Sequence, residues 1–171
     1  IENNLKIFID KYAFYQKAVQ DPKGQTDMAI EFYEQVVGKT PTSLREDFCG
    51  TFAVCCEWVK LNPEFVAYGV DLDTEPTEWG KKKLLPKLSK EQQNRIHILN
   101  KNVLDKSLPK ADIIAAQNFS FFLFKKREEL KAYFKNCHYT LNEKGVLIAD
   151  CFGGSGCYEP NEEETKFGKY S

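Results

Sequence analysis

Residues 43–54, with the sequence SLREDFCGTFAV, are the stretch that decides the fold. A short strand-like run leads to Gly50, and a run that is apolar on nearly every side follows it. This order predicts the end of a strand, a glycine turn and the start of a helix. Such a turn often holds a nucleotide, because backbone amides at a helix N-terminus face a polar or anionic ligand. The alternative is that Gly50 only permits a tight turn.

The rest of the chain alternates strand-like and helix-like patterns. Short apolar runs bounded by polar or turn residues predict strands, and amphipathic spacing predicts helices between them. The predicted strands are 43–48, 64–73, 95–100, 111–117 and 145–150. The first predicted helix covers 4–20, and a break at 21–27 (DPKGQTD) separates it from a second helix that ends at Gly38. The other predicted helices are 51–61, 76–88 and 125–138, and Pro86 interrupts the one at 76–88.

Strands that alternate with helices predict a Rossmann-like three-layer α/β/α sandwich, with a mostly parallel sheet and N-terminal helices before it. We expect a helical cap over residues 1–42, the core over 43–157, and a polar tail or linker over 158–171. In such sheets, ligands bind beyond the carboxyl ends of the strands, where the winding reverses. With this order of elements, the reversal lies between the first strand and the fourth.

The composition is that of a globular domain. The 171 residues carry a formal net charge of −1, which provides no general attraction to nucleic acid or to an anionic membrane. No apolar run approaches the length of a membrane span.

The six cysteines include no C-x-x-C pair, so no zinc site or disulfide framework is indicated, and no metal is predicted. Reduced cysteines in apolar runs favour a cytoplasmic protein, and the oligomeric state is not indicated.

A carboxylate follows the second predicted strand. Asp71 comes 21 residues after Gly50, where an acid at the tip of a strand holds a ribose diol. Asp73 is the alternative acid, and its other role would be to cap the next helix. A dinucleotide turn has G-x-G-x-x-G because its phosphates need close backbone approach, whereas this turn has one glycine between Phe48 and Phe52. It therefore suits a smaller, less anionic nucleoside and argues against a nicotinamide dehydrogenase.

The string LREDFCGT, followed by GVDLD, resembles the first and second motifs of the class I S-adenosylmethionine-dependent methyltransferases. The usual first motif is hydrophobic-hydrophobic-acid-x-G-x-G-x-G. Glu46 matches the acid and Gly50 the middle glycine, while Phe48 and Phe52 replace the outer two. With YQKAVQDP upstream and AQNFSFFLF downstream, the chain is similar to a branch of this superfamily that carries REDFCGT. The resemblance covers about residues 10–157.

This resemblance implies S-adenosylmethionine as the cofactor and S-adenosylhomocysteine as its product. Gly50 and its neighbours would pack against the methionine part, with Glu46 nearby. Asp71 would hold the ribose hydroxyls, and Leu72 would cover one face of the adenine.

Three further segments are assigned through the resemblance. Asn102 matches the position whose polar side chain meets the adenine amine; an acid is common there, and the amide keeps an acceptor. Val103 would donate a backbone amide to the adenine ring. Gln117 and Asn118, after the fourth strand, would line the methionine and the methyl acceptor.

Arg45 stands inside a strand that is expected to be buried, where an arginine is costly unless it is paired. One interpretation is a bidentate pair with the carboxylate of the cofactor. The other is a structural pair with Asp47 or Glu46.

The catalytic residues are less defined. Asn118 could aim the acceptor, and Asp150 and Tyr15 are candidates for the base that takes its proton. Tyr15 and its neighbours could fold over the cofactor as a lid, or they could belong to a core helix with Tyr12 and Tyr15 buried.

The sequence thus predicts a methyltransferase that acts on a small molecule or a protein, with no evident nucleic-acid surface. The superfamily sheet usually has seven strands and five are predicted here, so we expect the last two to be missing after Cys157. A module that binds S-adenosylmethionine without transferring its methyl group is the alternative function.

Overall fold

A computed structural model of the chain describes residues 10–158 and residue 160. Helices and strands alternate through most of this range. The helices are α1 (Lys11–Val19), α2 (Pro22–Val37), α3 (Ala53–Leu61), α4 (Thr74–Lys83), α5 (Lys90–Asn94) and α6 (Arg127–Thr140). The strands are β1 (Ser43–Asp47), β2 (Val66–Asp71), β3 (Ile96–Asn100), β4 (Ala111–Ala116) and β5 (Leu141–Ala149). Short 3₁₀ turns cover Leu85–Lys87, Ser120–Leu123 and Ser155–Tyr158.

The five strands form one sheet in the order β3-β2-β1-β4-β5, and every neighbouring pair is parallel. The chain moves outward from β1 through β2 to β3 and then crosses back to β4. The winding therefore reverses between β1 and β4, as the order of elements predicted. The Rossmann-like α/β fold is confirmed.

Alternate residues of the central strands pack into two separate cores, one on each face of the sheet. Leu44 and Ile113 join Trp58 of α3 in the first core, which α2 also covers. Val70 and Tyr133 belong to the second core, which α6 covers. Two covered faces of a parallel sheet give the predicted three layers.

The predicted break at 21–27 is wrong, because α2 already starts at Pro22. Proline suits the first turn of a helix, where its missing N–H would be unpaired in any case. The Asp21 side chain caps this turn by accepting from the Gly24 amide at 3.1 Å. The interruption between α1 and α2 is thus limited to Gln20 and Asp21.

Two other elements differ from the prediction. Helix α5 was not predicted, although Ser89 and Gln92 form a capping box, which is a sequence signal for a helix start. Strand β5 begins at Leu141 rather than at Gly145, so α6 leads directly into it. The part of the first predicted helix at residues 4–9 lies outside the described residues, as does nearly all of the predicted tail at 158–171.

Within the described ranges, none of the helices has the length and apolar character that crossing a membrane would require.

Candidate cofactor site

Two neighbouring cavities open at the carboxyl ends of the strands. The larger has a volume of about 440 Å³ and lies between α1, residues 46–51 and residues 117–120. The smaller has a volume of about 200 Å³ and lies between residues 71–73 and 101–103. Phe48 lines both, so the two cavities meet at this residue. Both lie at the edge of the sheet where the strand order reverses, which is where such folds bind ligands.

The turn after β1 is bent by three left-handed residues, Phe48, Gly50 and Phe52, with φ angles of 59°, 50° and 51°. Two of them are not glycine, which costs about 1–2 kcal/mol each. Their side chains offset this cost by packing on opposite sides. Phe52 is fully buried in the first core, and the Phe48 ring lies 5.7 Å from that of Tyr133 in the second. Packing in the two cores thus lets phenylalanine adopt the left-handed conformation at both positions.

Gly50 borders the larger cavity. A Cβ atom added to it would meet nothing within 4 Å outside its chain neighbours, so the backbone there faces open space. Its amide donates to Oδ2 of Asp71 at 2.8 Å, which ties the turn to the end of β2. The geometry supports close approach of a ligand to the backbone at this position.

Asp71 is the carboxylate at the end of β2 and lines the smaller cavity. Oδ2 accepts from the Gly50 amide, and Oδ1 accepts from the Asp73 amide at 2.9 Å. Each oxygen keeps one lone pair for a further donor, which is what a pair of hydroxyls requires. Asp73 also lines this cavity, and its side chain caps α4 through the Glu75 amide at 2.9 Å.

Glu46 is a nearly enclosed carboxylate on the wall of the larger cavity, with 6% of its surface exposed. Its Oε2 accepts from the backbone amide of Cys55 at 3.3 Å and from the Cys55 thiol at 3.2 Å. Burial raises the pKa of Glu46 to about 7, and the contacts with Cys55 oppose this rise only in part. A cation in the cavity would favour the ionised form.

Arg45 points to the opposite face of the sheet and lines neither cavity. Its Nε and Nη2 donate to the two carboxylate oxygens of Asp47 at 2.8 and 3.2 Å, and its Nη1 donates to Oγ1 of Thr140 at 2.8 Å. The hydroxyl of Tyr133 completes the cluster by donating to Asp47 at 3.0 Å. The interpretation of Arg45 as a partner of the cofactor carboxylate is therefore corrected, because its side chain is fully buried among these partners and lines neither cavity.

Leu72, Asn102 and Val103 all line the smaller cavity. Leu72 is 62% exposed, so one face of a bound ring could lie against it. Oδ1 of Asn102 accepts from the Leu104 amide at 2.9 Å and shapes the turn. The carbonyl of Val103 accepts from Nδ2 of Asn136 at 2.7 Å, which holds this loop against α6.

Gln117 and Asn118 reach the larger cavity from the end of β4. Gln117 is 8% exposed, and its Oε1 is buried without a hydrogen-bond partner among the described residues. A buried acceptor of this kind costs about 1–3 kcal/mol unless a donor reaches it. A ligand donor that reaches this oxygen from the cavity would remove that cost.

The position of Asp150 does not suit a base that acts on a bound acceptor. Its Oδ2 and Oδ1 accept from the amides of Asn118 and Phe119, both at 2.9 Å, and it does not line either cavity. Asn118 and Phe119 have φ angles of 56° and 57°, an unfavourable conformation that this carboxylate stabilises. The interpretation of Asp150 as the proton acceptor is corrected to that of an anchor for the turn.

Helix α1 lies over the larger cavity and has no buried residue, so the lid interpretation fits better than a core helix. Tyr15 is 42% exposed and faces the cavity. Gln16 fastens the helix to the turn by donating from Nε2 to Oγ1 of Thr51 at 3.0 Å. Oδ2 of Asp10 fastens it to α4 by accepting from Nε1 of Trp79 at 3.0 Å. The sequence did not indicate that Thr51 and Trp79 would hold this helix.

Comparison with solved structures finds the same fold among S-adenosylmethionine-dependent methyltransferases. The sugar N-methyltransferase KedS8 from Streptoalloteichus sp. ATCC 53650 matches with a TM-score of 0.70 at 18% identity, over 89% of this chain and 57% of that one. CalS10, an S-adenosylmethionine-bound amino pentose methyltransferase from Micromonospora echinaspora, matches with a TM-score of 0.69 at 14% identity, over 91% and 61%. A methyltransferase from Clostridium acetobutylicum ATCC 824 matches with a TM-score of 0.65 at 24% identity, over 81% and 55%.

The fold that the REDFCGT resemblance implied is thus confirmed by structure. No protein-family model matches the sequence, and no curated protein matches it. The chain spans less than two thirds of the length of each of these three structures.

Proposed function

We propose that the two cavities bind S-adenosylmethionine and that the chain takes part in methyl transfer to a small-molecule acceptor. The observation that carries the proposal is the pair of cavities meeting at Phe48 above the turn at Gly50. Their residues suit the two ends of the cofactor. The larger cavity supplies acceptors and open space beside a backbone turn, and the smaller supplies a carboxylate with free lone pairs beside an apolar surface.

Each end of the cofactor would have its own partners. Glu46 and Gln117 would accept from the ammonium of the methionine part, which gives the unpartnered Gln117 oxygen a donor. Asp71 would hold the ribose hydroxyls through its remaining lone pairs. Leu72 would cover the adenine, and the backbone of Val103 would meet the edge of the ring.

When bound, S-adenosylmethionine supplies an electrophilic methyl group, which a nucleophile on the acceptor takes by in-line attack. The contribution of this chain is alignment and the exclusion of water. Asp150 holds Asn118 in a fixed turn at the wall of the larger cavity, where it can orient an acceptor. Helix α1 covers the same cavity and brings Tyr15 to it.

A small acceptor is favoured by two observations. The net charge of −1 offers no broad attraction to nucleic acid. Two structural neighbours carry names that describe methyl transfer to sugars: a sugar N-methyltransferase and an amino pentose methyltransferase. We therefore place the acceptor among small polar molecules with a nucleophilic nitrogen.

A second candidate is a binding module that holds S-adenosylmethionine without transferring its methyl group. The observation that favours it is that Asp150, the candidate base after β5, lines neither cavity.

The test measures formation of S-adenosylhomocysteine from S-adenosylmethionine in the presence of a panel of amino sugars. We expect product only with an acceptor present, and less of it after Gly50→Val, which places a branched side chain in the cavity. Binding without product across the panel would support the binding module. A thermal shift with NAD⁺ and none with S-adenosylmethionine would overturn both.

A further inference from the structure

A third cavity lies away from the candidate cofactor site, between α6 and the loop that follows β3. Its volume is about 450 Å³, comparable to the larger cofactor cavity, and it shares no lining residue with either cofactor cavity. Its walls are formed by Leu104, Lys106, Ala132, Lys135, Asn136 and Tyr139. The four residues from α6 follow the spacing of one helix face, so the cavity has one rigid wall.

Asn136 is the polar group at the base of this cavity, and 6% of its surface is exposed. Nδ2 donates to the carbonyl of Val103 at 2.7 Å and to that of Asp105 at 3.2 Å, so both of its hydrogens are used. This fixes the orientation of the amide, because the opposite one would place an oxygen against two carbonyls. Oδ1 therefore points away from the loop and has no partner in the part of the chain that the structure describes.

An unpartnered buried oxygen indicates a missing donor. Leaving such an acceptor without a hydrogen bond is unfavourable, so native proteins rarely keep one without a reason. Because Asn136 lines the cavity, a ligand with an N–H group there would remove this cost.

The rim of the cavity is positively charged. Lys106 and Lys135 are exposed, and neither belongs to an ion pair among residues 10–158. The nearby Lys131 is different, because its Nζ lies 3.6 Å from Oε1 of Glu128. Tyr139 is 62% exposed and presents a ring on the same helix face. The walls thus offer two free cations, a ring and one acceptor.

We propose that this cavity is a second ligand site, which takes a small anion carried on a planar ring with an N–H donor. The anion would lie between Lys106 and Lys135, the ring against Tyr139, and the N–H on Oδ1 of Asn136. Ligand binding would also reach the cofactor site, because Asn136 holds the carbonyl of Val103. This coupling, unlike the site itself, rests on the proposed function.

The probe is uridine 5′-monophosphate, which combines a phosphate with a ring N–H and lacks the adenine that the cofactor site would attract. Titration calorimetry on the full chain compares it with uridine and with inorganic phosphate. We expect a dissociation constant below about 1 mM for the nucleotide and weaker binding of either part alone. No binding up to that concentration overturns the site. Equal binding by phosphate or by uridine overturns the proposed combination of ring and anion.

Two matched variants locate the binding. Lys135→Gln removes a rim charge from an exposed position and should weaken nucleotide binding about fivefold, or about 1 kcal/mol. Lys131→Gln, on the same helix but paired with Glu128, should leave it unchanged. Equal effects of the two variants would overturn the placement at this cavity.

The coupling is tested by titrating S-adenosylhomocysteine with and without saturating uridine 5′-monophosphate. We expect at least a twofold change in its affinity, which Lys135→Gln reduces. An unchanged affinity overturns the coupling while the site stands on the first titration. Absence of any S-adenosylhomocysteine binding counts against the proposed function and leaves the nucleotide result as the measure of the site.

Discussion

Glu46 gives the sharpest test of the electrostatics of the site. It is a nearly buried carboxylate, and burial raises its pKa from 4.5 to about 7. Between these two pH values the folded chain binds more protons at Glu46 than the unfolded chain does. The free energy of unfolding therefore falls as the pH rises through this window and levels off above it. Glu46→Gln keeps an acceptor for Cys55 but does not titrate.

The magnitude follows from the two pKa values. At about 1.4 kcal/mol per pH unit, ionising Glu46 in the folded state costs about 3 kcal/mol relative to the unfolded chain. The stability of the wild type, relative to that of Glu46→Gln, should thus fall by about 3 kcal/mol between pH 4.5 and pH 8. Taking the difference between the two proteins removes the contribution of the other titrating groups.

The assay is urea denaturation at several pH values, followed by circular dichroism, on wild type, Glu46→Gln and Glu64→Gln. The last variant changes an exposed glutamate, and its stability should follow that of the wild type. Saturating S-adenosylhomocysteine should flatten the wild-type slope, because its ammonium favours ionised Glu46. Parallel curves for wild type and Glu46→Gln would refute this reasoning.

Two other substitutions test the packing beneath the site. Arg45→Met leaves the Asp47 carboxylate buried without its cation. It should lower the free energy of unfolding, measured by urea denaturation, by about 3–5 kcal/mol. An unchanged urea midpoint would contradict the buried ion pair. Gly80→Ala places a Cβ against the backbone carbonyl of Thr51. It should therefore destabilise the chain by about 1–3 kcal/mol and weaken S-adenosylhomocysteine binding. Gly153→Ala, which meets no atom within 4 Å, is the matched control, and equal effects of the two would count against the close contact.

The pattern of short apolar runs was enough to predict most of the fold. Five short apolar runs, separated by helices, were enough to predict the parallel sheet and the reversal between β1 and β4. The break at 21–27 was wrong because turn-forming residues were weighed above the proline that starts α2 and the aspartate that caps it. The local signals for a helix start were present in the sequence, but they compete there with signals for a turn.

The site was only partly readable from the sequence. The resemblance implied that Glu46, Gly50 and Gln117 would lie at the methionine part of the cofactor, and the structure brings all three to one cavity. The partners of Arg45 and Asp150 were not predictable, since each depends on groups that the fold brings from far along the chain. Residue type indicated that each charge needed a partner but did not indicate which one.

The outer phenylalanines of the turn show the limit of motif reasoning. Phe48 and Phe52 replace glycines of the usual motif, which indicated a turn that suits a smaller, less anionic nucleoside. In the structure both adopt the left-handed conformation and pack into opposite cores, and the backbone at Gly50 faces open space. A tertiary packing gain of this kind has no signal in the local sequence.

We propose above that this turn and the end of β2 together hold a methyl donor, with Asp71 on its ribose. The most direct test of this proposal is calorimetric titration of the chain with S-adenosylhomocysteine, on wild type, Asp71→Ala and Asp73→Ala. We expect one site with a dissociation constant on the order of 10 μM. Binding should be at least tenfold weaker in Asp71→Ala and should change less in Asp73→Ala. No binding by the wild type, or binding that Asp71→Ala leaves intact, would contradict the proposal.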